Sequence, residues 1–209
     1  MTRSLGMFPL STVLFPRAGL PLHVFEDRYQ TMMADCLDGD REFGVVLISR
    51  GSEVGGGDQR LDVGTVARIS QVADVGDGRM LVTAEGLRRV RIHHWLVDDP
   101  YPRAMVEDLP FEPEVDRTGA GAEAEVAVRR LRSLLSELGD VPAIPHDLHF
   151  FGSDEDVGWQ LCAAAPLNLL DRQQLLVCPG NEARMRLLAE FCNLMAEDVL
   201  GLLAGGLGG

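Results

Sequence analysis

Hydrophobic positions change their period partway along the chain. In the first half they come as short runs and alternations, and in the second they recur every three or four residues. The first half is therefore read as β structure and the second as helices. Phe8-Pro9-Leu10 and the segment around Leu14 are punctuated by prolines, so any strands there are expected to be brief. Pro21-Leu22-His23-Val24-Phe25 follows as another extended segment. One helix is expected from about Glu26 to Leu37, because Tyr29, Met32, Met33, Cys36 and Leu37 form an apolar stripe. Glu26 and Asp27 lie in its first turn, where the helix dipole favours anions. Phe43 to Ile48 has strand length, and the glycines Gly55-Gly56-Gly57 mark Gly51 to Arg60 as a loop. Three extended segments come next, Val63–Val75, Arg79–Glu85 and Leu87–Val97, with Asp77-Gly78 as a two-residue hairpin signal. Tyr101 to Leu109 is the last strand.

The texture changes at Phe111-Glu112-Pro113-Glu114. The division expected is a β domain over 1–112, a linker over 113–121, a helical bundle over 122–204 and a flexible tail over 205–209. Ala124, Val128, Leu131, Leu135 and Leu138 make a helix that ends near Gly139. Pro142 and Pro145 then force a loop through Phe151. Ser153 with Asp156 has the spacing of a capping box, and Asp171 with Gln174 repeats the arrangement. Asn181 is expected to cap a final helix striped by Met185, Leu188, Cys192, Met195, Val199 and Leu202.

Charge narrows the function. The 209 residues carry a net charge of −13, and all nineteen basic residues are arginine. A chain without lysine has no phosphate-loop lysine, Schiff-base lysine or Ser–Lys dyad. The acidic balance opposes general nucleic-acid binding. No apolar run reaches the length of a membrane span, and the N-terminus, broken by Pro9 and Pro16, is not a signal peptide. A cytoplasmic protein is expected. Cys36, Cys162, Cys178 and Cys192 are scattered with no C-x-x-C pair, so they read as reduced thiols rather than zinc ligands.

Most motifs for chemistry fail in context. Gly119-Ala120-Gly121-Ala122-Glu123-Ala124 matches G-x-G-x-x-A, but no buried strand precedes it. There is no G-x-S-x-G elbow. His146 and His149, beside Asp147, have the best metal-like spacing, in a proline-bounded loop with no evident third ligand. His93 and His94 alternate across a strand, which should leave one ring partly buried and one solvated. Arg88-Arg89-Val90-Arg91 is the one basic cluster. It is expected to pair with the chain's own carboxylates, with a phosphate backbone as the rival.

The order and spacing of segments resemble the N-terminal substrate-recognition domain of the ATP-dependent Lon protease, in a stand-alone form. The stretches that carry this are Met7-Phe8-Pro9-Leu10, Val13-Leu14-Phe15-Pro16, Pro21 to Phe25, Tyr29, Val63 to Ile69, Asp77-Gly78-Arg79, Glu85 to Ile92 and Pro100-Tyr101. The likeness is strongest over residues 5–110 and weaker beyond, notably over Leu167 to Leu176. It implies an α+β fold: a PUA-like, mostly antiparallel β pseudo-barrel with one helix, then a C-terminal helical bundle. It also implies a non-enzymatic polypeptide-binding or adaptor protein without cofactor or metal. Its partners would be unfolded or degron-bearing polypeptides, or one specific protein. The ATPase and the serine-lysine peptidase belong to later domains of the full protease, and this chain stops before them. Gly64 and Gly86 are expected where a side chain would clash or φ is positive, and Glu85 is expected to join the arginines in a charged network. Trp95, Tyr101, Phe150 and Phe151 are the aromatics expected to hold a client, in a cleft between the two halves. Two alternatives stand beside this reading: an RNA-binding module using Arg88, Arg89 and Arg91, and a metal-dependent hydrolase using His146 and His149. The apolar final helix leaves room for self-association.

Overall fold

The structure is a computed structural model that describes residues 2–50, 59–110 and 118–206. The chain divides into two compact units, Met1–Phe111 and Glu112–Gly209. The expected glycine loop at Gly55–Gly57, positions 113–117 of the expected linker and positions 207–209 of the tail lie outside the described residues.

The first unit is built from β1 (Thr2–Leu10), β2 (Gly19–Val24), α1 (Asp27–Asp38), β3 (Glu42–Arg50), β4 (Gln59–Arg60), β5 (Val63–Gly76), β6 (Arg79–Trp95) and β7 (Arg103–Asp108). The strands follow the order β1-β7-β6-β5-β3-β4, and β1 also pairs with β3, so five of them close into a barrel. The β1–β3 contact is parallel, with Met7 opposite Gly44 and Leu10 opposite Leu47; the remaining contacts are antiparallel. Closure removes most sheet edges. The α+β pseudo-barrel expected from the resemblance is the fold observed.

Two expectations about strands need correction. β1 is nine residues rather than brief: Pro9 sits within its β3-paired half, opposite Val46, and costs only one ladder bond. Arg79–Glu85 and Leu87–Val97 form one 17-residue strand, β6, whose first half pairs with β2 and second half with β7. Gly86 does not break it. A Cβ there would run into the Phe15 carbonyl, just as one at Gly64 would run into the Val45 carbonyl. Close backbone approach is thus what these glycines supply, and neither has a positive φ. At the β5–β6 turn, Asp77 (φ 53°) and Gly78 (φ 73°) are both left-handed, as the hairpin signal requires.

The barrel strands fill its interior with Leu5, Met7, Val46, Val66, Val90, Ile92, Ala104 and Val106. A second core lies under α1, where Tyr29, Met32, Met33 and Cys36 pack on Phe8, Phe43, Val45, Ile69 and Val82.

The second unit holds α2 (Ala120–Leu138), α3 (Asp154–Ala164), α4 (Leu169–Val177) and α5 (Asn181–Gly206). α2 starts inside the stretch read as linker, and α5 runs two residues into the expected tail. Gly139 ends α2 in the left-handed conformation, its N–H bonded to Leu135 and Ser136 carbonyls. Ser153 and Asp156 form the expected capping box on α3. The other two caps differ. Asn168 caps α4 by accepting from the Leu170 and Asp171 N–H groups, so that helix begins before Asp171. Asn181 is already helical, with the Arg184 N–H bonded to Gly180, and its amide is spent elsewhere. The α5 stripe buries Met185, Leu188, Cys192, Ala196 and Val199, whereas Leu202 is exposed.

Candidate functional site

Chemistry was sought first in the titratable groups. Among the described residues, no group of three or more His, Cys, Asp or Glu side chains is placed to hold a metal ion. His146 and His149 are exposed in the proline-bounded loop. That loop is fastened to α2 by Arg129, which donates to the Pro145 and Leu148 carbonyls, and by Arg132, which donates to Pro142. His93 and His94 are both exposed, against expectation, because a register shift between Ile92 and His94 breaks the alternation. His93 lies 3.1 Å from Glu107. All four cysteines are free, and three are buried. Burial, reinforced by Asp40 and Asp35, pushes the Cys36 thiol up to about 11, and burial pushes Cys162 and Cys192 up to about 12. Thiols held that high stay protonated and make poor nucleophiles.

Of the arginine strand, Arg88 is spent on carboxylates of its own chain. Glu42, at the start of β3, is only 7% exposed. Arg88 grips it with two N–H donors at 3.0 and 2.7 Å, Arg68 donates at 2.8 Å and Arg3 at 3.0 Å. Arg88 also donates to Asp108 at 2.7 Å, and Arg89 is buried. Burial works against the Glu42 charge, yet the bonds from Arg88, Arg68 and Arg3 outweigh it and hold the carboxyl at about 2. Arg88 is correspondingly raised, chiefly by its bond to Glu42. Glu85, expected to join this network, instead stands on the exposed face of β6, where among the described residues its ion pair is with Arg17, at 4.0 Å. The sequence held no local signal for Glu42, because its partners lie on β1, β5 and β6.

The four aromatic candidates fall into different surroundings. Tyr101 belongs to the core under α1, and its hydroxyl donates to Asp35 at 2.7 Å. Burial and that bond push it up to about 12. Its ring is a packing element rather than a surface anchor. Trp95 packs beside the barrel interior, in the other core, with the Arg60 guanidinium 4.2 Å over its ring. Phe150 is half-buried, with Arg129 5.5 Å above it. Its neighbour Phe151 is 78% exposed, while its backbone is held by the Gln160 side chain.

One groove was missed. Phe8, Leu10, Pro21 to Glu26 and Tyr29 enclose about 160 Å³ beside β2. Phe8 and Tyr29 are stacked, with ring centroids 4.0 Å apart. Phe25 is 51% exposed, its ring 5.8 Å from that of His23. The volume is below the roughly 300 Å³ of a small-molecule pocket, so it suits one large apolar side chain rather than a cofactor. Among the described residues β2 pairs with β6 alone, so its second edge carries no paired strand there. The available signal was register: Pro21 and His23 lie on the exposed face of β2, and Phe25, next in that alternation just past the strand end, is an exposed aromatic.

Comparison with known proteins gives one consistent answer. Residues 4–193 match the family model of the ATP-dependent protease La (LON) substrate-binding domain. A Lon protease of Anaeromyxobacter dehalogenans is 26% identical over 196 residues, covering 92% of this chain and 23% of that protease. A LON peptidase N-terminal domain and RING finger protein of Schizosaccharomyces pombe is 27% identical over 218 residues, covering 90% of this chain and 45% of that protein. The chain therefore spans less than half the length of these relatives. Among solved structures, a Lon N-terminal domain protein from Xanthomonas campestris is 29% identical with a TM-score of 0.68, covering 90% of this chain and 98% of that one. Among the described residues, no helix is long and apolar enough to cross a membrane.

Proposed function

The chain belongs to the family of the ATP-dependent protease La (LON) substrate-binding domain, and from that premise we propose that it is a non-enzymatic polypeptide-binding module. Its clients are unfolded or degron-bearing polypeptides. The single observation that carries the reading is the groove at β2, where an exposed aromatic stands next to an open strand edge. An extended polypeptide lies along that edge and places one apolar side chain against Phe25, Leu22 and the Phe8–Tyr29 stack. Backbone contacts tolerate varied sequence, and the groove adds a preference for a large apolar residue. Pro21 offers no N–H, which keeps the edge from pairing tightly with every strand it meets. Phe151 is a second contact, on the helical unit. Trp95 and Phe150 are less available, since each is half-buried with an arginine over its ring. The protein works as a recognition or adaptor component and leaves cleavage to others.

Fluorescence anisotropy of a labelled, permanently unfolded protein, titrated with the full chain, tests this. Saturable, salt-insensitive binding is expected, with none to a folded control. An equal response to the folded control, or no response at all, overturns the reading.

A further inference from the structure

We propose that the exposed face of α2 and α5 is a self-association surface on which a second copy of the chain docks across a two-fold axis. This stands independently of client binding. The face holds an open groove of about 460 Å³ whose lining includes Ala122, Val126, Ala127, Ala189 and Asn193. Val126 is 68% exposed at its rim. The alanines leave a shallow floor that lets another helix approach closely.

Charge identifies the occupant. Glu123 and Arg130 also line the groove. They stand seven residues apart on α2, two turns along one stripe, with Val126 and Ala127 midway between them. Both are exposed, and neither has an ion-pair partner among the described residues. On the same helix Arg129 does pair, with Glu125 at 2.8 Å. The stripe thus reads acid, apolar centre, base. Laid antiparallel on a copy of itself about the Val126–Ala127 midpoint, it matches twice: Glu123 meets the partner's Arg130, and Arg130 meets the partner's Glu123. Residue i meeting j while j meets i is the signature of a two-fold interface. Val126 of each copy then enters the alanine-floored groove of the other, and α2 and α5 of both copies form a four-helix layer. Two copies at −13 each repel at long range, so the association is expected to be weak, in the micromolar range.

Sedimentation velocity of the full chain over a concentration series tests the arrangement. Wild type is expected to pass from monomer to dimer. Each single reversal, Glu123→Arg or Arg130→Glu, turns two attractive contacts into repulsive ones and should weaken the dimer about tenfold. The double variant Glu123→Arg/Arg130→Glu restores both pairs and should recover wild-type association. Val126→Arg should leave a monomer. Trp159 fluorescence confirms that each variant remains folded, and the reversals keep the test decisive if Val126→Arg does not fold. A chain that stays monomeric throughout, a dimer indifferent to single reversal, or a double variant without rescue would overturn the proposal.

Discussion

A buried charge anchors a hydrogen-bonded node in each unit, and the two are of opposite sign, Arg89 being a further buried charge of the barrel. In the barrel the anchor is Glu42, encircled by Arg3, Arg68 and Arg88. In the helical unit it is Arg184, 1% exposed, with its guanidinium 3.5 Å over the Trp159 ring. Arg184 donates to Glu155 at 3.3 Å, to the Asn181 amide oxygen at 3.1 Å and to the Cys178 carbonyl at 3.5 Å. The difference lies in the partners. Glu42 is neutralised by cations whose own bodies reach water, so its cost of burial is shared across the rim. Arg184 relies on a ring, an amide and one carboxylate, and its Nε has no partner among the described residues. Both nodes tie together elements distant in sequence: four strands at Glu42, and α3 to α5 at Arg184. A buried charge with a single satisfying geometry selects one packing over near alternatives, at some expense in stability.

The largest effect is expected at the tighter node. Arg184→Leu leaves Glu155 without its cation and Trp159 without its cover, which costs about 3–5 kcal/mol. The protein has two tryptophans, Trp95 in the barrel unit and Trp159 in the helical one. Variants retaining one of them report the units separately during denaturant unfolding. Arg184→Leu should lower the Trp159 midpoint and spare that of Trp95. Equal loss at both probes would show that the units unfold as one and that the nodes are not independent.

Glu42→Gln comes next, at about 3 kcal/mol, because three arginines are left facing one another. Here pH sharpens the contrast. The folded Glu42 carboxyl is held at about 2, below the usual carboxylate value near 4.3 in the unfolded chain. Its stabilising contribution is therefore complete above that unfolded value and disappears as pH falls toward 2. Acid titration should thus weaken the Trp95 unit through Glu42, and Glu42→Gln should flatten that part of its profile. An unchanged profile in the variant would mean that other carboxylates govern acid unfolding.

These nodes also mark where sequence reading stopped. The α1 stripe, the Asp77-Gly78 hairpin, the Ser153–Asp156 box and the Gly139 stop were legible because each depends on a few adjacent residues. Glu42 was not, since nothing near it distinguishes it from Glu85; only barrel closure brings Arg3, Arg68 and Arg88 to one and not the other. Asn181 was misread for the same reason. A cap residue has a local signature, but the Asp154 carbonyl that claims its amide is 27 positions away. Among the site aromatics, Tyr101 was named as a large ring at a strand end, and its partner Asp35 lies 66 positions off. Phe25 carried a usable signal, its register with Pro21 and His23, which the proline-rich surroundings obscured.

The smallest effects on stability are expected where each unit shows an aromatic ring to water. Phe25→Ser and Phe151→Ser should each change unfolding midpoints by no more than about 0.5 kcal/mol, as exposed substitutions do. They should separate in binding. Phe25 stands against a groove and an open strand edge, so a client loses an apolar contact and part of the surface that excludes water from the neighbouring backbone bonds. Phe151 stands on the loop before α3, its backbone held by the Gln160 side chain. Phe25→Ser should therefore raise the dissociation constant for the unfolded client about tenfold, close to 1.4 kcal/mol, and Phe151→Ser should raise it less. The reverse order would place client recognition on the helical unit. The β2 edge would then be a strand whose exposed ring serves some purpose other than holding polypeptide.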